Sequence, residues 1–336
     1  MILPFFNGIP WPFKKAPLTW VLFLINLSAF ILLYGAHDLV QQKIVDVFND
    51  PDYLQTQGRV YAQFVQKNPD SYSNTINRLS VQVLSGTEQK KIRLFGQLAF
   101  RDPVFVQVGA RMDFSGDQVA IEKWRRSQER IKDLKQVHAG YLLGVSSERP
   151  GVWNWISYQF VHGGVLHLAA NMWFLLILGA VLEPVLGGAG FLVLYLMSGL
   201  WGALSFIALS GLPAVPLVGA SGSVSGLLGA FCALRWHTPT RFFFWVLPAR
   251  GYSGFVYLPA WVALVMGVLS DLAGFLSTLP ELGGVAHAAH LGGLTVGVLC
   301  GLLLKPLDLS PWEHLPPKAQ SLFGGYSPSP PGAQQS

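Results

Sequence analysis

The sequence predicts an all-α polytopic membrane protein, a bundle of six transmembrane helices with a large soluble insertion between helices one and two. Two observations lead to this fold class. Half of the 336 residues are apolar and only 12% are charged, whereas a soluble domain averages about 25% charged residues. The charges are also gathered in one place, since residues 37–150 hold 16 of the 23 Lys and Arg and 13 of the 18 Asp and Glu. One part of the chain therefore faces lipid and the other faces water.

Stretches without charge mark the predicted spans, each of which needs about 20 apolar residues. Residues 16–37 carry no charge and contain the first span. A cleavable signal peptide is the alternative there, but the apolar stretch is long for one and no clear A-x-A site follows it. The stretches that supply spans two to six are residues 151–182, residues 184–234 (two spans, divided by a Gly- and Pro-rich break at 211–216), the interval from Arg250 to Asp271, and the interval from Glu281 to Lys305.

These spans set the predicted domain boundaries. Within the insertion, alternation near residues 92–108 predicts strands, and the mixed charges of residues 117–145 predict a helix, so its class is mixed helix and strand. The insertion could recruit substrate, bind a partner or modulate access. The predicted segments are a cytoplasmic N-terminal segment at 1–16, transmembrane helix one at 17–36, a soluble non-cytoplasmic insertion at 37–150, a core of helices two to six at 151–305, and a disordered, Pro-, Gly- and Ser-rich cytoplasmic tail at 306–336.

The basic residues of the short loops predict the orientation of the bundle. With six spans, three basic loops share one side, which the positive-inside rule assigns to the cytoplasm. The N-terminus is then cytoplasmic, and the insertion lies on the opposite side with the turns at 211–217 and 278–284. The expected location is a bacterial-type inner (plasma) membrane. The basic residues that define the cytoplasmic side are Lys14 and Lys15, then Arg235, Arg241 and Arg250, then Lys305 and Lys318.

A few polar side chains stand inside the apolar stretches, where polar groups are costly and are functional candidates. Ser221 follows a Gly/Pro break at the start of span four, where a helix dipole favours negative charge. His290 in span six can accept the serine proton. His167 and Asn171, four residues apart on one face of span two, can donate hydrogen bonds to an oxyanion. Together they predict a hydrolase site near the non-cytoplasmic ends of the spans.

Glycines offer a way to bring the serine and the histidine together. Gly222 and Gly226 of span four form a G-x-x-x-G pattern, as do Gly293 and Gly297 of span six. Small residues at this spacing let membrane helices approach closely. Packing spans four and six through these glycines would set Ser221 against His290.

Three stretches carry a resemblance to the rhomboid family of intramembrane serine proteases: FVHGGVLHLAANMW (160–173), GASGSVSGLLGA (219–230) and AHLGGLTVG (289–297). The resemblance covers about 151–305 and span one. It implies an endopeptidase that cleaves membrane-protein substrates within the bilayer, with no cofactor, metal or nucleic acid. The roles it implies are nucleophile for Ser221, general base for His290, oxyanion stabilisation for His167 and Asn171, a structural role for His162, and a loop-tying role for Glu183.

The chain departs from the family pattern near the base. Ser225 stands where many members have an aromatic residue against the catalytic histidine, and His287 is a second candidate base outside the motif. No acid is placed by the sequence to complete a triad, so a Ser–His dyad is predicted.

Two rival functions remain open. One is an inactive relative that binds membrane clients, although such relatives typically lack the Ser or the His. The other is a metal or proton transporter that uses four histidines, although no acidic ligand cluster accompanies them in the sequence. Those histidines are His162, His167, His287 and His290.

Overall fold

The computed structural model describes residues 2–4, 16–100, 102–146, 151–210, 216–237, 239–245, 253–277 and 286–305. The predicted tail at 306–336, most of the N-terminal segment and the 278–284 turn lie outside the described residues. The elements of the described residues are, in chain order, β1 (Ile2–Pro4), α1 (Pro17–Asn49), α2 (Pro51–Lys67), α3 (Asn74–Ser85), α4 (Gln89–Ala99), α5 (Pro103–Val108), α6 (Gln118–Val137), α7 (Ala139–Leu143), α8 (Asn154–Ser157), α9 (Val165–Ser210), α10 (Ser221–Leu234), β2 (Pro239–Trp245), β3 (Ser253–Pro259), α11 (Trp261–Ser277) and α12 (His287–Leu304).

Among the described residues, three helices are long and apolar enough to cross a membrane: α1 through its Pro17–Tyr34 stretch, α9 and α12. Two shorter apolar helices, α10 and α11, accompany them. Helix α9 is broken at Gly187, whose φ of 70° lies in the left-handed region that favours glycine, so it forms two helical segments. Large apolar side chains such as Leu32 and Leu303 stay more than three-quarters exposed, as side chains that face lipid do. The chain is an integral membrane protein.

The insertion is helical where strands were predicted. Helix α1 runs without interruption to Asn49, so span one and the start of the insertion share one helix. The strands predicted near residues 92–108 were wrong, because α4 and α5 occupy that region. The reason is the spacing of the buried residues in α4, Ile92, Phe95, Gly96 and Ala99, which follows a helical period and not alternation. The helix predicted within 117–145 is confirmed as α6.

The insertion has its own hydrophobic core, to which helices α2 to α6 contribute. Gln57 lies at its centre and is 1% exposed. Its Oε1 accepts hydrogen bonds from the Tyr53 hydroxyl (2.6 Å), Trp124 Nε1 (3.1 Å) and Gln128 Nε2 (3.0 Å). Burial raises the pKa of the Tyr53 phenol well above its ordinary value, so Tyr53 remains a neutral donor. This network links α2 to α6 inside an otherwise apolar core.

A small antiparallel sheet, which the sequence did not predict, joins the N-terminus to the segment between α10 and α11. Strand β1 pairs with β2, and β2 pairs with β3. The orientation prediction placed the N-terminal segment and this loop on the same side of the bundle. Their pairing in one sheet accords with that arrangement.

Glu183, near the end of the first segment of α9, anchors the start of α1. Its carboxylate is 2% exposed and accepts hydrogen bonds from Leu18 N (2.8 Å), Thr19 N (2.7 Å) and Thr19 Oγ1 (2.8 Å). The first N–H groups of a helix have no partner within it, and the helix dipole favours an anion there. Glu183 therefore ties α9 to the start of α1. The resemblance had led us to expect a contact between loops, whereas this contact joins two helices.

The end of the insertion is fastened to the segment that leads into α10. Val145 N donates to Leu217 O (3.1 Å), and Leu217 N donates to Val145 O (2.8 Å). On the other flank, Asn154 Nδ2 donates to Gly144 O (2.5 Å). The segment from 216 to 219 is therefore held by the insertion on one side.

Replacing Glu183 by Gln should destabilise the protein by about 1.5–3 kcal/mol, the usual contribution of a hydrogen bond to a charged group. The amide nitrogen of Gln cannot accept, so at least one of the donors at the start of α1 loses its partner. Thermal unfolding in detergent measures the loss. Thr19→Val, which removes only the hydroxyl donor, is the matched control and should lose less. Equal stability of Glu183→Gln and wild type would contradict the anchoring role.

Replacing Val145 by Pro should free the segment before α10, because proline has no N–H to donate to Leu217 O. We expect faster hydrogen exchange of the Leu217 amide, with a loss of about 1 kcal/mol in stability. Val152→Pro is the control, since Val152 is an exposed turn residue outside this bridge. Unchanged exchange at Leu217 would show that the bridge does not order the segment.

Candidate active site

The candidate nucleophile Ser221 is the first residue of α10. Gly219 precedes it with a φ of 120°, a conformation that glycine adopts without strain, and Gly219 N donates to Tyr158 O (2.9 Å). This turn starts the helix abruptly and leaves Ser221 partly exposed. The side chain therefore lies beside first-turn N–H groups that no helix carbonyl can satisfy, where negative charge is favoured.

Two histidines surround this turn. The His167 ring lies against Gly219 so closely that a Cβ on Gly219 would come within 2.6 Å of it. His162 is 4% exposed, and its Nε2 accepts a hydrogen bond from Ala220 N (3.4 Å). Side chains from the first turn of α9 and from the segment just before it are thus placed against the start of α10. For His162 the contact is with backbone, as a structural role requires.

Asn171 lies one turn beyond His167 and is buried. Its Nδ2 donates to His167 O (3.0 Å), within its own helix. Its predicted role as an oxyanion donor would require it to exchange this bond for one to the substrate.

The predicted packing of α10 against α12 through glycines is confirmed. A Cβ added to Gly293 would overlap the carbonyl oxygen of Gly222, and one added to Gly297 would overlap that of Gly226. The position of a Cβ on Gly222 lies 3.5 Å from Ala289 O, the residue before His290. The two backbones approach as closely as the absence of side chains allows.

His290 lies in the first turn of α12, on the same side of the bundle as Ser221 and His167. It is close enough to His167 for the two rings to interact electrostatically. No hydrogen bond joins Ser221 to His290 in the described structure, although both residues belong to it. Catalytic hydrogen bonds in substrate-free enzymes are often long and tighten when substrate binds.

An acid that was not among the predicted site residues adjoins His290. Asp271 Oδ1 is 2.9 Å from His290 Nδ1 and 2.8 Å from His287 Nδ1. Asp271 was predicted to end span five, but α11 continues to Ser277, so Asp271 stands inside the helix. A charged residue within an apolar helix is itself a signal of function, and it was available in the sequence.

The same three side chains are the group among the described residues that could hold a metal ion. Their ligand atoms all lie within 4.8 Å of one another, and two His with one carboxylate is a ligand set that zinc accepts. No metal was predicted, and the transporter was weakly supported because no acidic ligand cluster accompanies the histidines in the sequence. The structure supplies that ligand.

Comparisons with known proteins match the part of the chain that holds these helices. The family model described as the Rhomboid domain matches residues 149–307, which contain every candidate residue named above. RHOMBOID-like protein 4 of Arabidopsis thaliana is 35% identical over 156 residues, 46% of this chain and 35% of that protein. Rhomboid protease GlpG of Yersinia pestis is 31% identical over 157 residues, 46% of this chain and 49% of that protein.

Rhomboid protein 1, mitochondrial, of Saccharomyces cerevisiae is 35% identical over 150 residues, 44% of this chain and 40% of that protein. The chain spans less than half the length of each of these relatives. Apart from residues 149 and 150, the insertion lies outside the matched family domain. The chain is therefore similar to rhomboid proteins over residues 149–307, a little under half of its length.

Proposed function

We propose that this protein is an intramembrane serine endopeptidase, which hydrolyses a peptide bond in or near the transmembrane segment of a membrane-protein substrate. One observation carries the proposal. The glycine packing of α10 against α12 puts Ser221, at a helix start, on the same side of the bundle as the imidazole of His290. A nucleophile, a base and helix N–H donors are the parts that amide hydrolysis needs.

The reaction has two halves. Ser221 Oγ attacks the peptide carbonyl carbon, its proton passes to Nε2 of His290, and the carbonyl electron pair moves onto oxygen. Collapse of this intermediate re-forms the carbonyl and breaks the C–N bond, and the leaving amine takes the proton from His290. Water then attacks the acyl-serine and gives its proton to His290. Release of the carboxylic acid returns that proton to Ser221 Oγ.

The oxyanion of each intermediate requires donors in place. The first-turn N–H groups of α10 and the side chains of His167 and Asn171 are the proposed donors. His167 already contacts Gly219, two residues from the nucleophile. A donor that acts on the transition state lowers the barrier more than it aids substrate binding.

The proposal includes a topology. Six segments cross the membrane, with α9 contributing two of them on either side of Gly187, and the N-terminus is cytoplasmic. The insertion then lies in water on the opposite side, together with the entrance to Ser221. We place the protein in a bacterial-type plasma membrane. Substrate helices with Gly or Pro near this side would be preferred, since these residues weaken a helix and it then unwinds more readily for attack.

A second candidate function, binding or transport of a divalent metal, is favoured by one observation, the cluster of Asp271 with two histidines. This function does not need the serine. Metal-dependent transport into vesicles that persists in Ser221→Ala would favour it over the peptidase.

The peptidase proposal is tested by reconstituting the protein with a reporter that has one transmembrane helix and small, helix-breaking residues near its outer end. Wild type should cleave the reporter, and Ser221→Ala should abolish cleavage, because the change removes the attacking oxygen. Ser225→Ala, the same change one turn later in α10, is the matched control and should still cleave. Cleavage by Ser221→Ala at the wild-type rate would refute the assignment.

Removing an oxyanion donor should lower kcat and leave KM almost unchanged. We expect Asn171→Ala and His167→Ala each to reduce kcat by about 10- to 1,000-fold, with the upper end set by measured losses of single oxyanion donors. Leu166→Ala is the control, since Leu166 is 86% exposed beside His167. A rise in KM at constant kcat would assign these side chains to substrate binding instead.

A further inference from the structure

The base His290 shares a carboxylate with a second histidine. Asp271 on α11 and the pair His287 and His290 on α12 form a cluster in which both Nδ1 atoms lie within 3 Å of one oxygen, Asp271 Oδ1. The three side chains are only 16–21% exposed. Because α11 and α12 are separate spans, this cluster is a contact between helices and not a local one.

We propose that Asp271 is the positioning residue for the general base, so that the site operates as Ser221, His290 and Asp271. The inference rests on the proposed function, because it assigns a role in that reaction. It also names the group that holds the His290 ring, because Asp271 Oδ1 lies 2.9 Å from His290 Nδ1.

Hydrogen-bond chemistry fixes the tautomer. An ionised carboxylate only accepts hydrogen bonds, so each histidine that bonds to Asp271 Oδ1 does so with a proton on Nδ1. In neutral His290 the lone pair is then on Nε2, the nitrogen that must take the serine proton. Without this partner the ring could adopt the other tautomer, in which Nε2 carries a proton and cannot act as a base.

His287 holds the carboxylate in place. It donates to the oxygen that His290 uses (2.8 Å), and its ring covers Gly274, where an added Cβ would overlap it. Asp271 and Gly274 are three residues apart on one face of α11, as His287 and His290 are on α12. Helix α11 therefore offers a carboxylate, to which both histidines of α12 bond, and an open space at Gly274, which the His287 ring occupies. Hydrogen bonds to a charged group that is shielded from water are the stronger class.

The test uses the full-length protein, reconstituted with the same reporter. Asp271→Asn should lower kcat by at least about 100-fold and leave KM within about twofold, since the corresponding loss of a triad acid costs up to about 10⁴-fold through the wrong tautomer. Asp271→Glu, which keeps the carboxylate, should recover part of the rate. His287→Gln should cost only a few-fold. Ser270→Ala, an exposed neighbour of Asp271 on α11, is the control and should match wild type.

A second measurement covers variants that fold poorly. The rate at which a fluorophosphonate modifies Ser221, taken on the folded, monodisperse fraction, should fall with kcat in Asp271→Asn and recover in Asp271→Glu.

Three outcomes separate the possibilities. Asp271→Asn with kcat within threefold of wild type, while Ser221→Ala is inactive, would overturn the inference and leave the proposed function standing. Loss of thermal stability in Asp271→Asn, with a wild-type modification rate in its folded fraction, would also overturn it, because Asp271 would then only join the helices. Cleavage by Ser221→Ala would remove the proposed function itself.

Discussion

The close approach of α10 and α12 is the constraint on which the rest of the site depends. Two glycine carbons of α12 face carbonyl oxygens of α10, Gly293 against Gly222 and Gly297 against Gly226, with no room for a methyl group at either place. In lipid the hydrophobic effect does not drive apolar helices together, so close packing between small residues must hold them together. Since Ser221 and His290 each stand near the start of one of these helices, the separation of the helices sets the separation of the proposed nucleophile and base.

Polar contacts at both ends of the bundle hold this packed pair in register with its surroundings. At one end, Glu183 fastens the start of α1 to span two through three hydrogen bonds. At the other end, the bridge between Val145 and Leu217 attaches the insertion to the segment that leads to Ser221. The insertion is thus more than an appended domain, because its last residues adjoin the turn at Gly219. Asp271 also joins α11 to α12, through its hydrogen bond to the proposed general base His290.

Most residues of the candidate site could be named from the sequence, because a serine or a histidine inside an apolar run is conspicuous and a G-x-x-x-G pattern indicates close packing of membrane helices. Asp271 was missed because an acid was read as the end of a span, and its partners lie 16 and 19 residues further along the chain. The false strands near residues 92–108 came from a short window, in which alternation and a helical period are hard to separate. The sheet of β2 and β3 was missed because that loop was read for its charges alone.

The most direct test changes the contact between α10 and α12 and measures the reactivity of Ser221. The rate constant for modification of Ser221 by a fluorophosphonate should fall by about 100-fold in Gly293→Ala, because the added methyl group must move the two helices apart and a misplacement of about 1 Å costs that much. A folded Gly293→Ala protein that reacts at Ser221 as fast as wild type would contradict the account, since the packing of α10 and α12 would then not set the geometry of the site.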